Sequence, residues 1–220
     1  MRESRPRRTH ARALVAALAA AVLATGCAAG AEEAPAALTG AVHAPYAVPA
    51  TSLVDTAGEP WSFAEDATAD LTLVFFGYTR CPDVCPAVMS TVAAALNRLD
   101  EADRERVEVV FVTTDPARDT GPVLRDYLDR FDPSATGLTG ELDEVVATGE
   151  PLAVYVSDGQ RLPSGGYDLE THSTHVTGVL PDGTSPILWT QDVSAADLAA
   201  DVQALLGDDA EALLEDGLAS

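Results

Sequence analysis

Apolar positions along this chain fall into two patterns. Leu71-Thr-Leu-Val-Phe-Phe-Gly77 and Arg106-Val-Glu-Val-Val-Phe-Val-Thr113 are nearly continuous apolar runs, which predicts strands covered on both faces. Helical spacing takes over after each. Val88, Val92, Ala95, Leu96 and Leu99 predict a helix over 86–103, and Val123, Leu124, Tyr127, Leu128 and Phe131 a second over 119–130. Asp119 or Thr120 would cap that second helix. Gly137-Leu-Thr-Gly140 suggests a turn, 141–148 a short helix and Leu152 to Val156 a third strand. Segments 172–180 and 187–190 flank Pro181-Asp-Gly183, a hairpin signal, and 193–206 forms the last helix. Earlier, 54–63 suggests a hairpin turned by Gly58 and Pro60.

Strand–helix–strand–helix, then an antiparallel pair and a helix, is the element order of an α/β, thioredoxin-like fold: a central mixed sheet flanked by helices. The predicted domain spans 51–207. Residues 208–220 form an acidic tail expected to fray, and 27–50 an Ala-, Glu- and Pro-rich tether.

The N-terminus changes the picture of where the domain works. Residues 1–26 have the form of a signal peptide, with five arginines before the apolar stretch Ala13 to Ala24. They end in Leu23-Ala-Thr-Gly-Cys27, which resembles a bacterial lipobox, so Cys27 is the expected lipidation site. The expected location is the extracytoplasmic face of the bacterial cell membrane, with attachment to the membrane through the lipid anchor. Arg7-Arg8 leaves the export route, general or twin-arginine, undecided.

Composition narrows the partners. The formal net charge is −22 and lysine is absent, so the phosphate neutralisation that nucleic acid demands is not available. Assigning Cys27 to lipid leaves Cys81 and Cys85 as the only thiols of the mature domain. One close pair in an exported chain is a redox or metal site, not a disulfide scaffold. The pair falls where a strand gives way to a helix, a place that favours thiolates. The two sulfurs can form a disulfide or hold a thiophilic metal.

Phe75-Phe-Gly-Tyr-Thr-Arg-Cys-Pro-Asp-Val-Cys-Pro86 closely resembles the signature of the Sco/SenC family of membrane-tethered, thioredoxin-like copper proteins. Asp115-Pro-Ala-Arg-Asp119, Tyr127-Leu-Asp-Arg-Phe131, Gly137-Leu-Thr-Gly140 and His172-Ser-Thr with Pro181-Asp-Gly183 follow in the family's order. The resemblance implies copper held by Cys81, Cys85 and His172. It also implies a copper chaperone for the dicopper centre of a haem-copper (cytochrome c) oxidase, whose copper-site subunit would be the partner. Two thiolates and an imidazole suit both Cu(I) and Cu(II). The alternative is an enzyme, a thiol–disulfide reductase that keeps the oxidase cysteines reduced with Cys81 and Cys85 as its redox pair. Either role requires an extracytoplasmic thiol reductase to keep the pair open. A peroxidase is disfavoured, because Thr79 is displaced by one position from where peroxiredoxins carry threonine.

Of the mature chain's other histidines, His43 is expected to be solvated in the tether and His175 exposed. Three residues from His172 along a strand, His175 would face the opposite way. Thr171 stands where the family commonly has an acid. Asp115 is expected to form a turn, and Asp83 either to raise the thiol pKa and attract Cu(II) or to be solvated.

Overall fold

The structure, a computed structural model, describes residues 37–156 and 173–219. These lie in one compact unit, Ala37–Ser220. The chain forms strands β1 (Ala41–Ala47), β2 (Leu53–Asp55) and β3 (Pro60–Trp61), then the single helical turn α1 (Phe63–Asp66). Strand β4 (Leu71–Gly77) leads to α2 (Val84–Leu96), the short α3 (Glu101–Arg104) and β5 (Val107–Thr113). Next come α4 (Gly121–Leu128), β6 (Thr136–Thr139), α5 (Leu142–Gly149) and a 3-10 turn at Glu150–Leu152. Strands β7 (Val176–Val179) and β8 (Thr184–Trp189) precede α6 (Ala195–Leu206) and α7 (Ala210–Ala219).

Among the described residues the strands form one eight-stranded mixed sheet in the order β1-β8-β7-β4-β5-β6-β2-β3. Strands β4, β5 and β6 run parallel, and β7 lies antiparallel against β4. The apolar runs of β4 and β5 follow from this, because both faces of the sheet are covered. Leu71, Leu73 and Phe75 join Val107, Val109 and Phe111 in a cluster with α2, α4 and α6. Val74 and Phe76 alternate to the other face, with Val110, Val112, Phe63, Val145 and Leu152. Burying one such phenylalanine contributes roughly 1.5–3 kcal/mol. The fold is thioredoxin-like, as the element order predicts.

Four elements differ from the sequence-based expectation. The third parallel strand is β6, not 152–156. Gly137, expected in a turn, pairs with Phe111, and a Cβ there would lie 2.8 Å from Leu128 Cδ1. Close packing against α4, not turn geometry, therefore asks for glycine at that position. Of the expected strand, Leu152 ends the 3-10 turn, Ala153 follows at φ 54° and only Val156 makes a bridge. The predicted helix over 86–103 breaks at Asn97, and Asp100 caps a separate turn through the Asp103 amide at 2.9 Å.

Both domain boundaries also move outward. Residues 41–47 of the expected tether form β1, which pairs antiparallel with β8 as an edge strand. Residues 210–219 of the expected frayed tail form α7, with Leu213 buried and Gly217 close against Val42. The amphipathic face of α7 thus finds its partner in β1, and an acidic outer face alone does not keep a helix from docking.

A buried carboxylate fastens this end of the sheet. Asp201 on α6, only 3% exposed, accepts hydrogen bonds from the Thr39 amide and hydroxyl, the Gly40 amide and Trp189 Nε1 at 2.7–3.0 Å.

Candidate metal centre

The central strand β4 ends at Gly77, and a short loop carries the chain from there to the start of α2. Cys81 lies in the connecting loop and Cys85 in the first turn of α2. Both are free thiols; Cys85 is fully buried and Cys81 half-buried. The Cys85 amide donates to Cys81 Sγ at 3.3 Å, so the free donors of the helix start converge on that sulfur. Asp83 caps α2, its carboxylate accepting the Val84 amide at 2.7 Å. Beneath the pair, a Cβ on Gly77 would lie 3.0 Å from Cys85 Sγ and 2.8 Å from Phe75 Cε1. The glycine keeps the sulfur's pocket open.

The two thiols are not equivalent, whereas the sequence suggested two acidic sulfurs. Burial raises the Cys81 pKa, but hydrogen bonds from the Cys85 amide and thiol, the Asp83 amide and the Tyr78 hydroxyl outweigh it and bring the thiol below its ordinary value. Burial pushes Cys85 well above its ordinary value, and a hydrogen bond to Cys81 adds to the rise. Cys81 is therefore the more acidic thiol and Cys85 the hydrogen-bond donor beside it. Tyr78 is raised to about 12 by burial, then by the charge of Cys81 and the bond to it. For Asp83, the backbone amide lowers the Cys81 pKa.

The cysteine loop is tied to the body of the sheet by Asp119. Of the two candidates for the cap of α4, Asp119 and Thr120, Thr120 takes the position, and the Asp119 side chain bonds instead to Thr79 and Thr113. Completely buried, it accepts from the Thr79 amide at 2.8 Å, the Thr79 hydroxyl at 2.6 Å and the Thr113 hydroxyl at 2.8 Å. Asp115 does form the predicted turn, receiving the Arg118 and Asp119 amides at 3.0 Å. It is also buried, and its carboxylate pairs with Arg118. Composition hid the role of Asp119, since nothing separates one buried acid from the many on the surface.

His172 and Cys27 lie outside the described residues. His175 is placed one residue before β7. It is half-buried, not exposed, and burial lowers its pKa. Val176 belongs to the cluster that holds Cys85, whereas the His175 ring bonds to the Leu152 backbone on the other side. His43 stands in β1 and stacks on Tyr46 with ring centroids 4.1 Å apart.

A dithiol at the start of a helix, on the end of a thioredoxin-like sheet, defines a class of thiol-based redox and metal-binding domains. The particular branch comes from comparison. The SCO1/SenC family profile matches residues 42–207. This chain belongs to that family. The mitochondrial protein SCO2 of Saccharomyces cerevisiae is 32% identical over 60% of this chain, and the match spans only 44% of the yeast protein. Apo Sco1 from Thermus thermophilus, solved in solution, superposes with a TM-score of 0.67 at 31% identity. It covers 76% of this chain and 96% of its own. Copper-bound ScoI of Bradyrhizobium japonicum gives a TM-score of 0.60 at 28% identity, covering 74% of this chain and 98% of its own.

Proposed function

We propose that this protein is a lipid-anchored copper chaperone that binds one copper through Cys81, Cys85 and His172 and delivers it to the dicopper centre of a haem-copper oxidase. The observation that carries the reading is the convergence of two free sulfurs at one helix start, where the Cys85 amide donates to Cys81 Sγ. That donor set fits a soft cation: copper would displace the Cys85 proton and gain a second thiolate. Relatives from Bradyrhizobium japonicum and yeast were solved with copper bound. Delivery to an oxidase is what the family resemblance implies. Among the described residues no helix is long and apolar enough to cross a membrane, and the anchor in this reading is acyl chains on Cys27.

The asymmetry of the thiols supports a second reading, a disulfide reductase. An accessible thiolate, Cys81, would attack a client disulfide, and Cys85 would then resolve the mixed disulfide. The client gains two electrons and two protons, and the pair becomes a disulfide. The two readings separate in one assay with the soluble copper-site domain of an oxidase subunit. Copper-loaded protein mixed with the reduced client should yield the client's dicopper spectrum. Metal-free protein mixed with the oxidised client should leave its disulfide intact. Stoichiometric client reduction without copper transfer would replace the first reading with the second.

A further inference from the structure

Helix α7 carries apolar side chains on two sides. On one, Leu213 is buried and Gly217 lies close against Val42 of β1. On the other, Leu214 and Leu218, one helical turn apart, line a groove of about 530 Å³ between α7 and the β7–β8 hairpin, with Pro186 across from them. Leu218 is 49% exposed. Glu211 and Glu215 of the same helix and Asp182 of the hairpin turn also line the groove, so an apolar floor has an acidic rim. An exposed apolar patch with a polar rim marks an interaction site.

Charge decides what fits there. Among the described residues no arginine lines the groove. The sequence has no lysine, and no arginine between Arg12 and Arg80 or after Arg161, so β1, β7, β8, α6 and α7 carry neither. Nine acids fall between residues 173 and 220. The ion pairs among the described residues all lie between Asp70 and Asp132, which leaves the rim without a counter-ion of its own. Anionic lipid headgroups would be repelled by such a face. A second copy is a poor match too, because Arg104, Arg106, Arg118 and Arg125 already pair with carboxylates of their own chain.

The groove sits at the far end of the sheet from the cysteines. Val179, at the end of β7, pairs with Thr72 near the start of β4, whereas the cysteines follow Gly77 at its end. That is about 17 Å of strand, so an occupant of the groove does not cover the sulfurs.

We propose that this groove is a docking surface for a partner protein, which lays a cationic amphipathic segment into it. Apolar side chains of the segment pack on Leu214 and Leu218, and its lysines or arginines meet Glu211, Glu215 and Asp182. The site is independent of copper.

The probe is a fluorescein-labelled peptide of leucine and lysine, with its leucines at helical spacing, titrated by anisotropy against the mature chain carrying Cys27→Ser. It should bind saturably, and more weakly as salt rises. Leu218→Ser should weaken binding about tenfold, the scale of one apolar side chain returned to water. Glu211→Gln with Glu215→Gln should weaken it by a similar factor. Asp126→Asn with Glu105→Gln removes the same charge from exposed positions outside the groove and should change affinity by less than about twofold. Should Leu218→Ser disturb the fold by circular dichroism, methyl resonances of the parent answer in its place: the peptide should shift Leu214 and Leu218. A distant pair that matters as much as the rim pair, affinity unchanged by Leu218→Ser, or methyl shifts confined to another face would each overturn the proposal. So would phosphatidylglycerol vesicles that capture the protein through Leu218, or a dimer that Leu218→Ser dissolves, since each gives the groove a different occupant.

Discussion

Asp119 holds Thr79 twice, accepting its backbone amide at 2.8 Å and its hydroxyl at 2.6 Å. One residue stands just ahead of α4 and the other two positions before Cys81, so a buried carboxylate fixes the loop that carries the reactive sulfur. Asp119→Asn should be costly, because three hydrogen bonds lose the carboxylate's charge and one acceptor oxygen becomes an NH2 group, which the Thr79 hydroxyl can meet only by reversing its own bond. Leaving one such buried group unsatisfied costs about 1–3 kcal/mol. Urea unfolding should show that loss, and copper affinity should fall with it. Thr79→Val keeps the backbone bond and should cost less. Equal stability of Asp119→Asn and the parent would mean that the carboxylate does not hold the loop.

The inequality of the thiols has a chemical signature. At neutral pH, iodoacetamide should modify Cys81 and spare Cys85, as peptide mapping would show. The same inequality acts on stability in two pH windows. The folded Cys81 pKa lies below the ordinary thiol value, so its contribution is present above about pH 8.5 and is lost as pH falls through the folded pKa. Cys85 lies above, so its contribution is present below about pH 8.5 and is lost as pH rises. Reduced protein should therefore weaken in alkali, and Cys85→Ala should flatten that slope. Faster alkylation of Cys85 would reverse the assignment.

The domain needs more chain than its core motifs span. A fragment starting at Thr51 lacks β1 and the Thr39 and Gly40 groups that satisfy Asp201. It should be less stable than one starting at Ala37 by more than about 2 kcal/mol, the scale of a buried charge deprived of hydrogen bonds. Matching urea midpoints for the two fragments would refute this.

These cases show where the chain was legible. Strand β4 and helix α2 announce themselves because both faces of one and one face of the other are apolar, and that junction alone places Cys81 and Cys85. Strand β6 was hidden because Gly137 and Gly140 imitate a turn, while Gly137 is there to let Leu128 approach. Strand β1 and helix α7 escaped notice because each hides its apolar positions in Ala-, Pro- or acid-rich surroundings and buries them against the other. Asp119 and Asp201 were illegible for one shared reason. In so acidic a chain, tertiary contacts alone mark which carboxylates are buried.

In the proposed site the two sulfurs and an imidazole hold the copper. The most direct measurement is the visible spectrum of the Cu(II)-loaded protein, paired with a Cu(I) competition titration. The parent should show sulfur-to-copper charge transfer and tight Cu(I) binding. Cys81→Ala with Cys85→Ala should abolish both. His172→Ala should weaken Cu(II) far more than Cu(I), which two thiolates alone can satisfy, while His175→Ala should leave the charge-transfer band intact. A double cysteine variant that keeps the band and the Cu(I) affinity would contradict the account.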